Sequence, residues 1–174
     1  MHKKIKIPFN IALAVIITIC AIYASVPKMQ DNKVIKVAEV SRVYCVENTC
    51  TLFEPFASNN DYNATKNYLE KNNLYDIDNM FIIEYNFVNA HKMEYFTGEF
   101  KVRNLYITKN AYDEMKYYLD NYFKNTNILF LEDSKQKQTE KYIFTYIKVT
   151  NSSGMVTIQY NNDEYQLFSK KSYI

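Results

Sequence analysis

Few residues of this chain combine the types and spacing that chemistry needs. Cys45 and Cys50 are separated by Val46-Glu47-Asn48-Thr49. In an oxidising compartment two such thiols pair, and four intervening residues suit a hairpin loop that brings the β-carbons together. Closing so short a loop stabilises by about 2 kcal/mol in the chain-entropy model, enough to pin a hairpin rather than hold up a fold. The spacing is C-x4-C, not the C-x-x-C of redox proteins, and no second Cys or His pair accompanies it as a zinc site requires. His91 and Glu94 stand three apart, but the chain has only two histidines, His2 being the other. The pattern falls in an expected hairpin turn, and zinc needs two further ligands. Asp76-Ile77-Asp78 resembles the paired carboxylates that hold a divalent ion on nucleotide-sugar enzymes. No glycine-rich loop goes with it, so a solvated turn is the plainer reading. No G-x-S-x-G is present, and a serine nucleophile lacks a base beyond one imidazole. The sequence therefore assigns no catalytic, metal or cofactor-binding residue. A hydrolytic carboxylate pair stays open, because its separation is a spatial property and the chain has 19 acidic residues.

These residues must be placed by a chain that starts with a greasy segment. His2, Lys3, Lys4 and Lys6 precede an apolar run from Ile11 to Val26, broken only by Thr18 and Ser25. Its length lies between a secretory h-region of roughly 7–15 residues and a membrane span of about 20. A cleaved signal peptide and an uncleaved signal-anchor helix both remain open, while Ile19 before Cys20 fits a lipidation site poorly. In either case the positive flank stays in the cytoplasm and the domain after Pro27 lies outside it. The expected organisation is 1–26 signal or transmembrane anchor, 27–33 linker, and 34–174 a single exported domain. That places the protein in the cell envelope, periplasmic or extracellular, single-pass or secreted.

Composition narrows the function classes. Setting Lys3, Lys4 and Lys6 aside leaves 18 basic residues against 19 acidic ones. A near-neutral exported part without a basic cluster argues against nucleic-acid binding. Two glycines argue against phosphate-cradling loops. The 17 tyrosines and 11 phenylalanines, with no tryptophan, supply core and surface aromatics together. Tyr117, Tyr118 and Tyr122, or Tyr142 and Tyr146, could form a recognition surface, since tyrosine joins an apolar body to a polar tip. Asn63-Ala64-Thr65 and Asn151-Ser152-Ser153 match glycosylation acceptors.

The β-branched run from Val34 through Cys45 and the return from Cys50 to Phe53 predict a hairpin. Ser58 to Asn73 reads as a helix capped by Ser58, Asn59 or Asn60. Met80–Val88 and Glu94–Thr108 read as two strands joined by a turn. Asn110 to Lys124 is an amphipathic helix with Tyr112, Met115, Leu119, Tyr122 and Phe123 inward. Ile128–Leu131 reads as a central strand and Ser134–Glu140 as an exposed loop. A meander follows over 141–150, 155–160 and 164–169. The expected fold is α+β, a mostly antiparallel curved sheet of about six to eight strands with two amphipathic helices on one face, preceded by an N-terminal hydrophobic helix.

With no catalytic constellation, the expected function is that of a non-enzymatic exported or membrane-anchored protein whose domain binds another protein. In layout it is similar to accessory subunits of bacterial secretion machines and to periplasmic immunity proteins. The alternative is a small hydrolase acting through a carboxylate pair.

Overall fold

The structure is a computed structural model that describes residues 34–46, 49–85, 91–138, 143–150, 153–160 and 163–169. The apolar run 11–26, its expected helix and the 27–33 linker lie outside them. No helix among the described residues is long and apolar enough to cross a membrane, so the transmembrane expectation finds no support there.

Ten strands and three helices are described. They are β1 (Val34–Lys36), β2 (Arg42–Val46), β3 (Thr49–Phe53), α1 (Asn59–Lys71), β4 (Asp76–Ile82), α2 (Lys92–Glu99), β5 (Lys101–Ile107) and α3 (Lys109–Tyr122). They continue with β6 (Asn127–Phe130), β7 (Gln136–Gln138), β8 (Ile143–Thr150), β9 (Ser153–Tyr160) and β10 (Asp163–Phe168). A six-stranded sheet runs β1-β2-β3-β4-β5-β6, and a four-stranded sheet runs β10-β9-β8-β7.

The hairpin β2–β3 pairs antiparallel, with Cys45 directly opposite Cys50. From β3 onward the large sheet is parallel: β3 with β4, β4 with β5, and β5 with β6. Each of these pairs is joined through a helix, as a parallel connection requires. The helices share one face. Val43, Leu52, Met80, Ile82, Leu105 and Ile107 point toward Leu69 of α1, Met93 and Phe96 of α2, and Met115 and Leu119 of α3. The alternate residues Tyr44, Phe53, Phe81, Ile83 and Tyr106 point the other way, onto Phe144, Val156, Ile158 and Leu167 of the small sheet. The two-residue period of a strand thus feeds two cores, and the molecule is layered helices, mixed sheet, antiparallel sheet.

The expectation of one mostly antiparallel sheet is therefore corrected to an α+β fold with a mixed sheet, a second antiparallel sheet and three helices. The decisive difference is α2, which occupies the first half of the stretch read as a strand over Glu94–Thr108. Its aromatic-rich Glu94-Tyr95-Phe96-Thr97 has strand propensity, yet Met93, Phe96 and Phe100 are buried at helical steps of three and four. Recognising α2 turns an apparent hairpin into a crossover. The strand expected over Met80–Val88 lies earlier, at Asp76–Ile82. Ile128–Leu131 falls on β6, at the edge of its sheet and not the centre. The expected loop 134–140 contains β7. The first and last helices and the three-stranded meander lie close to where the sequence puts them, with Ser58 capping α1 by accepting from the Asp61 amide at 3.0 Å. Thr108, not Asn110, caps α3.

Candidate active site

The carboxyl ends of parallel strands are where open α/β sheets bind ligands. Here β3 ends at Phe53, and Glu54 follows with φ 48°, a left-handed conformation that costs a non-glycine residue on the order of 1–2 kcal/mol. Pro55 follows, and a residue before proline is steered away from the right-handed helical region. The Glu54 amide still donates to the Phe81 carbonyl at 2.9 Å, extending the ladder by one bond. The Ser41 hydroxyl donates to the Glu54 carbonyl at 2.7 Å.

This backbone turns the Glu54 side chain inward, beneath the end of β4. Its Oε1 accepts from the amides of Ile83 and Glu84. The residue is only 2% exposed. Burial pushes its carboxyl up to about 8; the two amide bonds oppose that, and repulsion from Glu84 and Asp61 adds to it. Burial thus favours the protonated form of Glu54. Glu84 beside it is half-buried. Near Glu54 lies Tyr146 of β8, buried in the second core. Burial, then Asp133 and Glu54, raise its phenol. The Tyr146 ring covers Gly154, where a β-carbon would stand 2.3 Å from its Cε2; only glycine admits so close an approach. On β5 the exit is held by Thr108, whose hydroxyl donates to the Ile83 carbonyl at 2.8 Å.

Asp61, a turn into α1, is a second buried carboxyl with the opposite fate. Burial works against its charge, but bonds from the Ser58 hydroxyl, Ser41 and Val40 outweigh it and hold the group below the usual range. Its Oδ1 accepts from the Val40 and Ser41 amides, both at 2.9 Å. It ties the loop before β2 to the first helix.

The residues singled out by sequence lie elsewhere. Cys45 and Cys50 are joined by a disulfide, with Cα atoms 4.2 Å apart. His91 is exposed at the start of α2, and Glu94 accepts from the Tyr122 hydroxyl at 3.3 Å. Asp76 and Asp78 begin β4 at the amino ends of the strands, not in a solvated turn. They line a cavity of about 480 Å³ with Lys101, Arg103, Tyr122 and Lys124. That cavity's Arg103 is 67% exposed and is paired with Asp78 at 3.0 Å. Tyr117 and Tyr118 pack edge-to-face on α3, 5.4 Å between centroids. Thr65 of the first glycosylation pattern is buried. Tyr142 and the turn 151–152 lie outside the described residues. Glu54 and Glu84 were not legible as a pair; a Glu-Pro step closing an apolar strand is the one local signal.

No family model matches this chain, and no curated protein is similar to it in sequence. Solved structures are similar to it in fold. The metallo-beta-lactamase fold protein YhfI from Bacillus subtilis superposes with TM-score 0.54 at 8% identity, over 71% of this chain and 52% of that one. The Flv1 flavodiiron core from Synechocystis sp. PCC6803 gives 0.54 at 14% identity, over 69% of this chain and 30% of its own. CmlA, a diiron beta-hydroxylase from Streptomyces venezuelae, gives 0.54 at 11% identity, over 80% and 30%. The likeness is one of fold. This chain spans about half the length of the first and under a third of the others.

That likeness overturns the expectation of a non-enzymatic envelope protein built to bind another protein. The architecture is one shared with metallo-beta-lactamase-fold and diiron proteins, a hydroxylase among them. The residues here do not fit a metal of that kind. Among the described residues no three His, Cys, Asp or Glu stand together so as to hold an ion, and no step below is routed through one.

Proposed function

We propose that this chain is a hydrolase acting by proton transfer at the carboxyl ends of β3 and β4, with Glu54 as the acid and Glu84 as the base. The observation that carries the reading is Glu54 itself, a buried carboxyl on left-handed backbone at the sheet edge where such folds place ligands. In this reading the Glu84 carboxylate takes a proton from the attacking water. The Glu54 Oε2 hydroxyl gives one to the leaving group, and Glu84 returns its proton to Glu54 afterwards. Bond cleavage consumes one water and leaves both carboxyls as they began. We also propose that the domain is exported, on the strength of the apolar run before it and the disulfide.

The test is a panel of p-nitrophenyl esters, phosphates and glycosides offered to the full chain, Glu54→Gln and Glu84→Gln. General acid–base roles predict a loss of about 10²–10⁴-fold in kcat for each variant. Activity should fall as pH rises through about 8, where Glu54 loses its proton. Turnover by Glu54→Gln at the parent rate, or no turnover of any substrate, would remove the proposal.

A further inference from the structure

We infer that the carboxyl edge of this chain binds no pair of divalent metal ions, in contrast to the diiron proteins that share its fold. The inference deepens the proposal above, since it leaves the chemistry of that edge to the carboxyls alone. It rests on where each donor side chain is spent. The two cysteines outside the first 33 residues are consumed by their disulfide. The one histidine outside those residues, His91, is exposed at the start of α2. Both oxygens of Asp61 are taken, Oδ1 by two amides and Oδ2 by the Ser58 hydroxyl. Asp78 is held by the Cys50 amide at 2.9 Å and by Arg103, and Glu132 by Lys135. Between Tyr85 and His91 the sequence reads Asn-Phe-Val-Asn-Ala, with no thiolate, imidazole or carboxylate.

Among the described residues, the other acids around the edge are Glu54, Glu84 and Asp133, the last of which acts with Glu54 on Tyr146, and no imidazole or thiolate joins them. A paired-metal centre in the carboxylate-bridged style draws on about six ligands, imidazoles among them, and even one zinc takes three or four. Glu54 is poorly suited besides: its Oε1 already accepts two backbone amides, and it sits where burial favours the uncharged form.

The full chain, produced in medium supplemented with zinc, manganese and iron, should carry far less than one ion per molecule after gel filtration. Its Tm should not move with EDTA or with any of the three metals. Retention of one or two ions with a Tm rise that EDTA reverses, lost in Glu84→Gln, would overturn the inference. Metal lost in His91→Ala but kept in Glu84→Gln would sit at the exposed start of α2, and the inference about the edge would stand. A chain that carries no metal and turns over nothing in the panel would remove the proposed hydrolase while leaving this inference intact.

Discussion

The two ends of the parallel strands treat acids differently. At the amino ends Asp78 faces a guanidinium 3.0 Å away, beside water, with an amide on its other oxygen. At the carboxyl ends Glu54 has two amides on one oxygen, no cation beside it among the described residues, and only 2% exposure. Both groups accept backbone hydrogen bonds, so hydrogen bonding alone does not separate them. The neighbouring cation and the degree of burial do: a cation stabilises a carboxylate's charge, and burial without one disfavours it. Asp61 lies between the cases: it is buried too, but the Ser58 hydroxyl and the Val40 and Ser41 amides hold it, and the Arg42 guanidinium acts on it from nearby.

The contrast can be sharpened first through pH. Glu54 has its folded pKa raised above the unfolded value, so the native state binds the extra proton between about 4.5 and 8. Its contribution is fully present below 4.5 and is lost as pH rises toward 8. Relative to Glu54→Gln, which keeps the acceptor and cannot ionise, the parent should lose stability by about 1.4 kcal/mol per pH unit over that window. Urea melts of both proteins at pH 5, 6, 7 and 8 read this directly, and parallel curves would break the comparison. Next in size is Glu54→Ala at pH 5, where the parent carboxyl is neutral. It strands the Ile83 and Glu84 amides and should cost about 3 kcal/mol, seen as a lowered urea midpoint. Reducing the Cys45–Cys50 bridge should cost about 2 kcal/mol, measured as a Tm difference with and without reductant. Smallest is Arg103→Ala at the amino ends, expected below about 1 kcal/mol because the guanidinium is 67% exposed. A loss as large as that of Glu54→Ala would show the two ends to be alike.

Much of the fold was legible where a local signal was strong. The α3 helix repeats Ala111, Met115 and Leu119 on one face, and the Asn- and Gly-rich turns mark the meander. What escaped was α2, eight residues whose aromatics read equally well as strand, and with it the parallel pairing of β4 and β5. The run Met80-Phe81-Ile82-Ile83 held a clue, since all four are buried and both-face burial is the mark of a parallel strand under two layers. The active-site candidate was less legible still. Glu54 and Ile83 are 29 residues apart, and nothing near either announces the other.

By itself the sequence determined the local matters: which stretches coil, where Ser58 stops a helix from fraying, and that two thiols sit close enough along the chain to meet. Caps, periodicities and short loops act over a few residues, so a linear reading reaches them. Only the tertiary structure decided that a glutamate at the end of β3 would be buried beneath β4, on the amides of Ile83 and Glu84. Desolvation depends on what surrounds a group in space, and here those surroundings, Ser41, Phe81 to Glu84 and Tyr146 among them, lie far apart along the chain.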